Sequence, residues 1–308
     1  MVMQIITTLT SLPDTLKNGA ISIGKFDGMH LGHASIVHRL KHHADHRQIP
    51  AICITFDPLP AAVLQPNAGL RPICSLERKI ELVRQFQIDA IVIIPTTPEF
   101  LQQSSEMFFD EVICRLLQSK IVVAGRNFSF GRDRTGTAET IKHYALHAGI
   151  EIDIVEPLEI GGNRVSSSRI RKLIQEGQIE KANELMPTPY QMSGTVGIGE
   201  QRGRTMGFPT ANLQDVQTIL PKSGVYATET RIGTKNDVYA STTHVGSNMT
   251  FDGSVPTVET FIHDFEDNIY GEKISVDFLS YLRESTRFDS AESLARQMQK
   301  DVEQSRKR

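Results

Sequence analysis

The sequence predicts a parallel-sheet α/β domain followed by a small antiparallel β-barrel domain with a carboxyl-terminal helix. Three observations carry this. In the first half, short runs rich in β-branched residues alternate with helical patterns, as in a parallel sheet covered by helices. In the second half, short β runs follow one another between Gly, Asn and Asp with few long helical patterns, which suits a small barrel. Between them, at residues 184–190, the helical pattern stops at Pro187 and Pro189 and the composition changes. The domains expected are therefore 1–186 and 187–308, each long enough to bury its own core.

The first half is organised around residues 24–33, GKFDGMHLGH. They follow an apolar run at 20–23 and lead into a helical segment at 34–46, so they form a strand, a turn and a helix start. Gly24, Gly28 and Gly32 let backbone approach an anion, the helix offers unpaired N–H groups, and His30 and His33 add imidazole donors. Further strands are expected at 51–56, 90–94 and 121–124, and helices at 75–86, with Ser75 as N-cap, and at 100–117. Ligands of such sheets bind beyond the strands' carboxyl ends, where the glycine-rich turns of this half fall.

Two more stretches suit nucleotide chemistry. Residues 125–136, GRNFSFGRDRTG, combine three glycines with Arg126, Arg132 and Arg134 and with Phe128 and Phe130, apt for a flat ring and a phosphate. Residues 165–173, VSSSRIRKL, set serines before a helix, with Arg169 and Arg171 placed to clamp a polyphosphate.

In the second half, strands are expected at 194–198, 224–231, 237–245, 258–263 and 274–282, and a last helix at about 290–305. Within it, residues 194–213 read GTVGIGEQRGRTMGFPTANL. Gly199, Gly203 and Gly207 recur every four residues, which leaves backbone bare for a ligand. No GxxxxGK[ST] loop occurs, and Arg202 stands where a GxGxxG fingerprint needs its third glycine.

Composition narrows the partners. Lys plus Arg total 33 against 36 Asp plus Glu, a formal charge of −3, and the one basic run is Arg306, Lys307, Arg308, so no nucleic-acid partner is expected. Cys53, Cys74 and Cys114 are odd in number and widely spaced, which predicts reduced buried thiols rather than disulfides or a cysteine zinc site, as in a cytoplasmic protein. The first residues lack the basic and apolar regions of a signal peptide, and no apolar run nears the ~20 residues needed to span a bilayer, so a soluble intracellular protein without membrane partners is expected. His38, His42, His43 and His46 read as a solvated helix face rather than a metal site.

The ten-residue GxFDGxHxGH form of residues 24–33 resembles the HxGH signature of the nucleotidylyltransferase superfamily, in the version found in prokaryotic riboflavin kinase/FAD synthetases. The later stretches resemble that family's motifs in order and extend the likeness over about residues 15–305. A Rossmann-like HxGH domain is implied, with His30 and His33 catalytic and Gly24, Phe26, Asp27 and Gly28 around the nucleotide. The GxNFxFGxxxxG element implies Asn127 on the flavin, and the ISSTxIR element implies Ser167, Ser168 and Arg171 on the ATP triphosphate. The GxVxxGxxxGRxxGFPTAN signature of riboflavin kinases implies Gly199, Gly203 and Gly207 around nucleotide, with Thr210 and Asn212 as ligands or supports of Mg-ATP. Glu259, in VETFI, takes the place of the catalytic glutamate.

The resemblance thus implies two ATP-dependent steps, riboflavin to FMN and FMN to FAD, with Mg2+ as the metal. Two departures stand out. Leu59 replaces the histidine of FDPHP, and Asn248 and Met249 interrupt a G-x-R-P-T segment. They keep two alternatives open: an FMN adenylyltransferase with an impaired kinase domain, and a flavin-binding regulatory protein without catalysis. Oligomeric state is left open.

Overall fold

The computed structural model describes residues 2–8, 12–199, 203, 206–233, 237–247 and 256–307. Asn248 and Met249 lie outside the described residues. Contacts divide the chain into two compact units: Met1–Arg71 with Leu76–Ser166, and Pro72–Ser75 with Ser167–Arg308.

The first unit is built on six parallel strands: β1 (Gln4–Ile6), β2 (Ala20–Ile23), β3 (Ala51–Asp57), β4 (Ala90–Pro95), β5 (Ile121–Gly125) and β6 (Glu151–Val155). Their order across the sheet is β1-β4-β3-β2-β5-β6. Side chains alternate between faces, so Ile21, Ile52 and Val122 enter one apolar cluster while Ala20, Cys53 and Val123 enter the other. Burial on both faces is why these strands read as nearly unbroken apolar runs. From β2 the chain winds outward through β3 and β4, then crosses back to β5 on the other side of β2. The crevice at the carboxyl ends of β2 and β5 is therefore the topological switch point where open α/β sheets bind ligands.

The longest helices of this unit among the described residues are α1 (Leu31–Arg47), α2 (Leu76–Arg84) and α3 (Ala138–Ala148). In α1, Ala34, Val37, Leu40 and Ala44 form the buried stripe, and Gln48 ends the helix in the left-handed region at φ 53°. The single helix expected at 100–117 is broken in two. Thr97 and Ser104 each accept a backbone N–H at 3.1 Å, from Phe100 and Met107, so each starts its own helical turn. The second, Ser105–Phe108, continues as a wider π-helical stretch, Phe109–Leu116, which buries Phe109, Val112 and Ile113.

The second unit contains α4 (Ser167–Gln175), α5 (Ile179–Asn183) and a closed antiparallel barrel. Its strands are β7 (Tyr190–Gly197), β8 (Thr210–Gln214), β9 (Gly224–Ile232), β10 (Val238–Ser247), β11 (Pro256–Ile262) and β12 (Lys273–Arg283), closing in the order β7-β8-β11-β10-β9-β12. β8 lies inside the glycine-rich stretch, where the sequence reading placed no strand; Ala211 and Leu213 are its inward residues. Inside the barrel, five buried hydroxyls form a hydrogen-bonded chain. It runs from Thr230 through Ser241, Thr228 and Thr243 to Thr260, with distances of 2.8, 2.8, 2.8 and 2.9 Å. The last helix, α6 (Ala291–Ser305), begins in a capping box of Ser290 and Ser293. Asp301 of α6 takes Arg283 of β12 in a forked ion pair at 2.7 to 3.1 Å, and Ser305 Oγ donates to the Ser241 carbonyl at 2.8 Å.

Candidate active sites

The loop leaving β2 carries the first site. The Gly24 N–H donates to the Ile54 carbonyl at 3.0 Å, which holds the chain against β3 as the loop begins. Phe26 follows at φ 47°, and Gly28 at φ 77°, a conformation that costs glycine least. The Phe26 ring is buried and stands edge-on to His33, centroids 5.4 Å apart, and Asp27 is buried beside it.

His30 caps α1. Its Nδ1 accepts the backbone N–H of His33 at 3.2 Å, and its ring stacks on that of His33 at 3.6 Å. Because Nδ1 is committed as an acceptor, neutral His30 carries its proton on Nε2. Burial pulls the pKa of His30 down to about 4, with Arg164 adding to the effect. Burial also holds His33 well below the ordinary histidine range, helped by His30 and Lys79. Both rings are thus neutral at neutral pH, beside a helix start that favours anions.

The turn after β5 faces the same crevice. Lys25, on the first loop, has its pKa lowered by burial and then by the nearby Arg134 of the second. Asn127 is exposed there. Phe128 and Phe130 stack on each other at 5.1 Å, and Phe130 belongs to the core, so these rings support the turn. Leu59 precedes the short helix Pro60–Leu64. Ser167 opens α4, with Ser168 exposed and Arg171 half-buried on the same helix, and all three count with the second unit.

The second site is a face of the barrel. Thr210 and Asn212 point the same way from β8, alternate to the inward Ala211 and Leu213. In the ladder with β11, Thr210 stands opposite Phe261 and Asn212 opposite Glu259. On its other side, Glu259 stands opposite His244 of β10. The strand pairing therefore sets Glu259 between Asn212 and His244. Gly199 lies so close to Asn212 that a Cβ would fall 2.2 Å from Nδ2. The Gly203 carbonyl accepts N–H groups from Met206 at 3.1 Å and Phe208 at 2.9 Å, and Gly207 follows at φ 83°. A cavity of about 320 Å³ opens here, lined by Val196, Gly199, Thr210, Asn212, Thr260 and Tyr270. Another of about 360 Å³ is lined by Gly207, Phe208, Phe261, Asp264, Glu303 and Arg306, with Phe208 edge-on to Phe261 at 5.3 Å.

Among the described residues no group of three or more His, Cys, Asp or Glu could hold a metal. Thr210 and Asn212 instead offer a hydroxyl and an amide oxygen on one face with a carboxylate across from them, a hard-oxygen set that fits a cation sharing its shell with substrate phosphate. Of the clustered histidines of α1, His38, His42 and His46 are exposed, whereas His43 pairs with Asp153 at 2.6 Å. The three cysteines are free thiols.

Two residues near these sites escaped the sequence reading. His244 is found only through the register of β10 and β11. Lys79 is legible in principle, as a lysine on the apolar stripe of α2 where a hydrophobe is expected.

An α/β unit with an anion-binding helix start and a barrel presenting a threonine, an asparagine and a glutamate define a transferase that handles nucleotides twice. Comparison with known proteins agrees. The profile of the FAD synthetase family matches residues 12–169, and that of riboflavin kinase matches residues 186–308. Proteins named bifunctional riboflavin kinase/FMN adenylyltransferase align along the chain. The one from Listeria monocytogenes is 33% identical over 292 residues, covering 94% of this chain and 92% of its own. That of Bacillus subtilis is 31% identical, covering 92% and 90%, and that of Haemophilus influenzae 28%, covering 98% and 97%. A solved structure from Streptococcus pneumoniae, described as a macrolide-efflux protein, has TM-score 0.88 and 31% identity over 99% of both chains. Efflux is said of that protein alone.

The chain belongs to the family of bifunctional riboflavin kinase/FMN adenylyltransferases. It phosphorylates riboflavin to FMN and adenylylates FMN to FAD, with ATP as donor in both steps; an impaired kinase or a non-catalytic regulator is not favoured. Families of this kind generally use a divalent metal. No helix among the described residues is long and apolar enough to cross a membrane.

Proposed function

We propose that the two reactions run at separate sets of residues, adenylyl transfer at His30 and His33 and phosphoryl transfer at Thr210, Asn212 and Glu259. The observation that supports this best is the register of the barrel, which stands Glu259 directly opposite Asn212 while the two histidines stack in the other unit.

In the kinase step, Glu259 accepts the proton of the ribityl hydroxyl as its oxygen attacks the γ-phosphorus and ADP leaves. Thr210 and Asn212 would hold Mg2+, which when bound neutralises phosphate charge. Gly199, Gly203 and Gly207 leave room for the nucleotide. The Phe208 and Phe261 rings offer an apolar wall for a flat ring system.

In the adenylyl step, an FMN phosphate oxygen attacks the α-phosphorus of ATP and pyrophosphate leaves, with no protein nucleophile. The neutral His30 donates from Nε2, and His33 and the N–H groups opening α1 complete the set that meets developing negative charge. Gly24, Phe26, Asp27 and Gly28 shape the loop. Asn127 meets the flavin, and Ser167, Ser168 and Arg171 meet the triphosphate, on the strength of their motifs. The working divisions are 1–186 for adenylylation and 187–308 for the kinase, and the setting is the cytoplasm, with riboflavin, FMN, FAD and ATP as the small-molecule partners.

Chromatography of products from Mg-ATP with riboflavin or FMN as sole acceptor tests the assignment. His33→Ala is expected to make FMN and no FAD; Glu259→Gln is expected to convert FMN to FAD and leave riboflavin unchanged. Equal loss of both products in either folded variant refutes separate sites.

A further inference from the structure

Lys79 lies on the buried face of α2 with Leu82 and Val83 and is only 3% exposed. Taking an ammonium out of water is costly unless it is paired, and its one hydrogen bond among the described residues goes to a neutral hydroxyl, Thr55 Oγ1, at 3.2 Å. Thr55 Oγ1 in turn donates to the Lys25 carbonyl at 3.1 Å, so the direction of donation is fixed from Lys79 through Thr55 to the loop. That carbonyl belongs to the peptide leading into Phe26, which sits at φ 47°, a left-handed conformation an aromatic residue seldom adopts. Phe26 sets its ring edge-on to His33. A continuous line of contacts therefore runs from a buried cation on α2, across β3, to the ring of His33.

We infer that Lys79 is a positioning residue for adenylyl transfer, bracing the turn of Phe26 through Thr55 and standing as a fixed positive charge near His33. The inference rests on the assignment of that reaction to His30 and His33. The charge acts beyond the hydrogen bond: it opposes protonation of His33 and draws down the pKa of Asp57, whose burial otherwise raises it. Among the described residues, His30 acts on His33, Arg164 acts on His30, and Glu77 acts on Asp57. A cation kept in the wall serves a site whose substrates are both polyanions, because it biases the local potential without occupying phosphate-binding space. It also keeps His33 neutral over a wider pH range than burial alone.

The full-length protein carries its own control, since FMN formation from riboflavin reports on the other unit. Lys79→Met keeps much of the length and removes the charge. Its kcat for FAD formation from FMN is expected to fall at least about tenfold, with KM little changed, as for loss of a preorganised electrostatic group. The acid limb of its pH profile moves to higher pH, because His33 is then easier to protonate. Lys79→Arg keeps the charge and with it the wild-type acid limb.

An activity of Lys79→Met within about twofold of wild type, or an unmoved acid limb at any rate, overturns the inference. Should Lys79→Met fail to make FMN, Thr55→Val carries the test: it cuts the link between Lys79 and the Lys25 carbonyl, so kcat for FAD formation falls. Thr55→Val at the wild-type rate likewise overturns it. His33→Ala separates the two levels. If it still makes FAD, the site assignment fails and the inference with it; if it makes none while Lys79→Met is normal, only the inference fails.

Discussion

Gly199→Ala tests the barrel site with a single methyl group. The Cβ built on Gly199 would lie 2.2 Å from Asn212 Nδ2, 2.4 Å from Cγ and 2.6 Å from Oδ1, whereas real Cβ atoms keep at least 3.0 Å. The amide must therefore retreat by most of an ångström. It can do so, because all three of the atoms nearest the Cβ belong to the end of one side chain, so the barrel should fold with little loss of stability. Function is less tolerant. Asn212 stands opposite Glu259 and beside Thr210, and a displacement near 1 Å in a positioned group can cost about 100-fold in rate. Riboflavin phosphorylation is thus expected to drop by about that factor, while conversion of FMN to FAD stays at the wild-type rate. The assay is initial-rate product analysis with each acceptor separately, alongside thermal unfolding. FMN formation within about twofold of wild type would show that Asn212 does not need its present place, and the kinase assignment would lose its main support.

Other outcomes follow from the same geometry. His30 titrates near 6.5 when unfolded but only at about 4 when folded, so its contribution is present above about pH 6.5 and disappears as pH falls toward 4. The full effect is about 3 kcal/mol, and His30→Asn, which keeps an N-cap acceptor but cannot titrate, should flatten the acid side of the stability curve from urea titrations; an unchanged slope refutes it. Asp301→Ala strands Arg283 at the foot of α6, and because that arginine is partly exposed the cost should sit at the low end of the buried-pair range, about 3 kcal/mol, read as an earlier denaturant midpoint for the barrel. A midpoint shift worth under about 1 kcal/mol would show that solvent replaces the carboxylate. Thr243→Val leaves both Thr228 and Thr260 one partner short inside the barrel and should cost about 1–3 kcal/mol in the same measurement, with no change expected from a substitution at the exposed Val238.

The first unit was the more legible because its signals are local. Residues 20–33 carry strand, turn and capped helix within fourteen positions, and the structure keeps that order. The helix at 100–117 misread for a local reason as well: its apolar spacing is continuous, but Ser104 competes for the backbone as a cap and splits it. Protonation was out of reach. A helix start and bound phosphate pull on histidine in opposite directions, and only the observed burial of His30, with Nδ1 committed to the His33 N–H, decides for the neutral ring. β8 was hidden because glycines at 199, 203 and 207 mask the alternation that follows them from Thr210 onward. The spacing of α2 puts Lys79 on its apolar stripe, but its partner Thr55 and the register that places His244 lie far away in sequence and could not be read from spacing or composition.

The barrel's interior explains why its exterior can be a site. Side chains alternate strictly along β11, so a register slip of one residue would carry Glu259 inside and Thr260 out. Val258 and Ile262, the apolar inward residues of β11, resist such a slip because it would turn them out to water. Thr260 resists it chemically, since its hydroxyl is the end of the chain through Thr243, Thr228, Ser241 and Thr230, and moving it would leave buried groups unsatisfied along that chain. The same pairing of β10 with β11 that joins Thr243 to Thr260 sets His244 beside Glu259, and the pairing of β8 with β11 sets Asn212 on its other side. The polar core, which lowers the apolar content of the barrel, thereby helps fix the register in which Glu259 shares a face with Thr210 and Asn212.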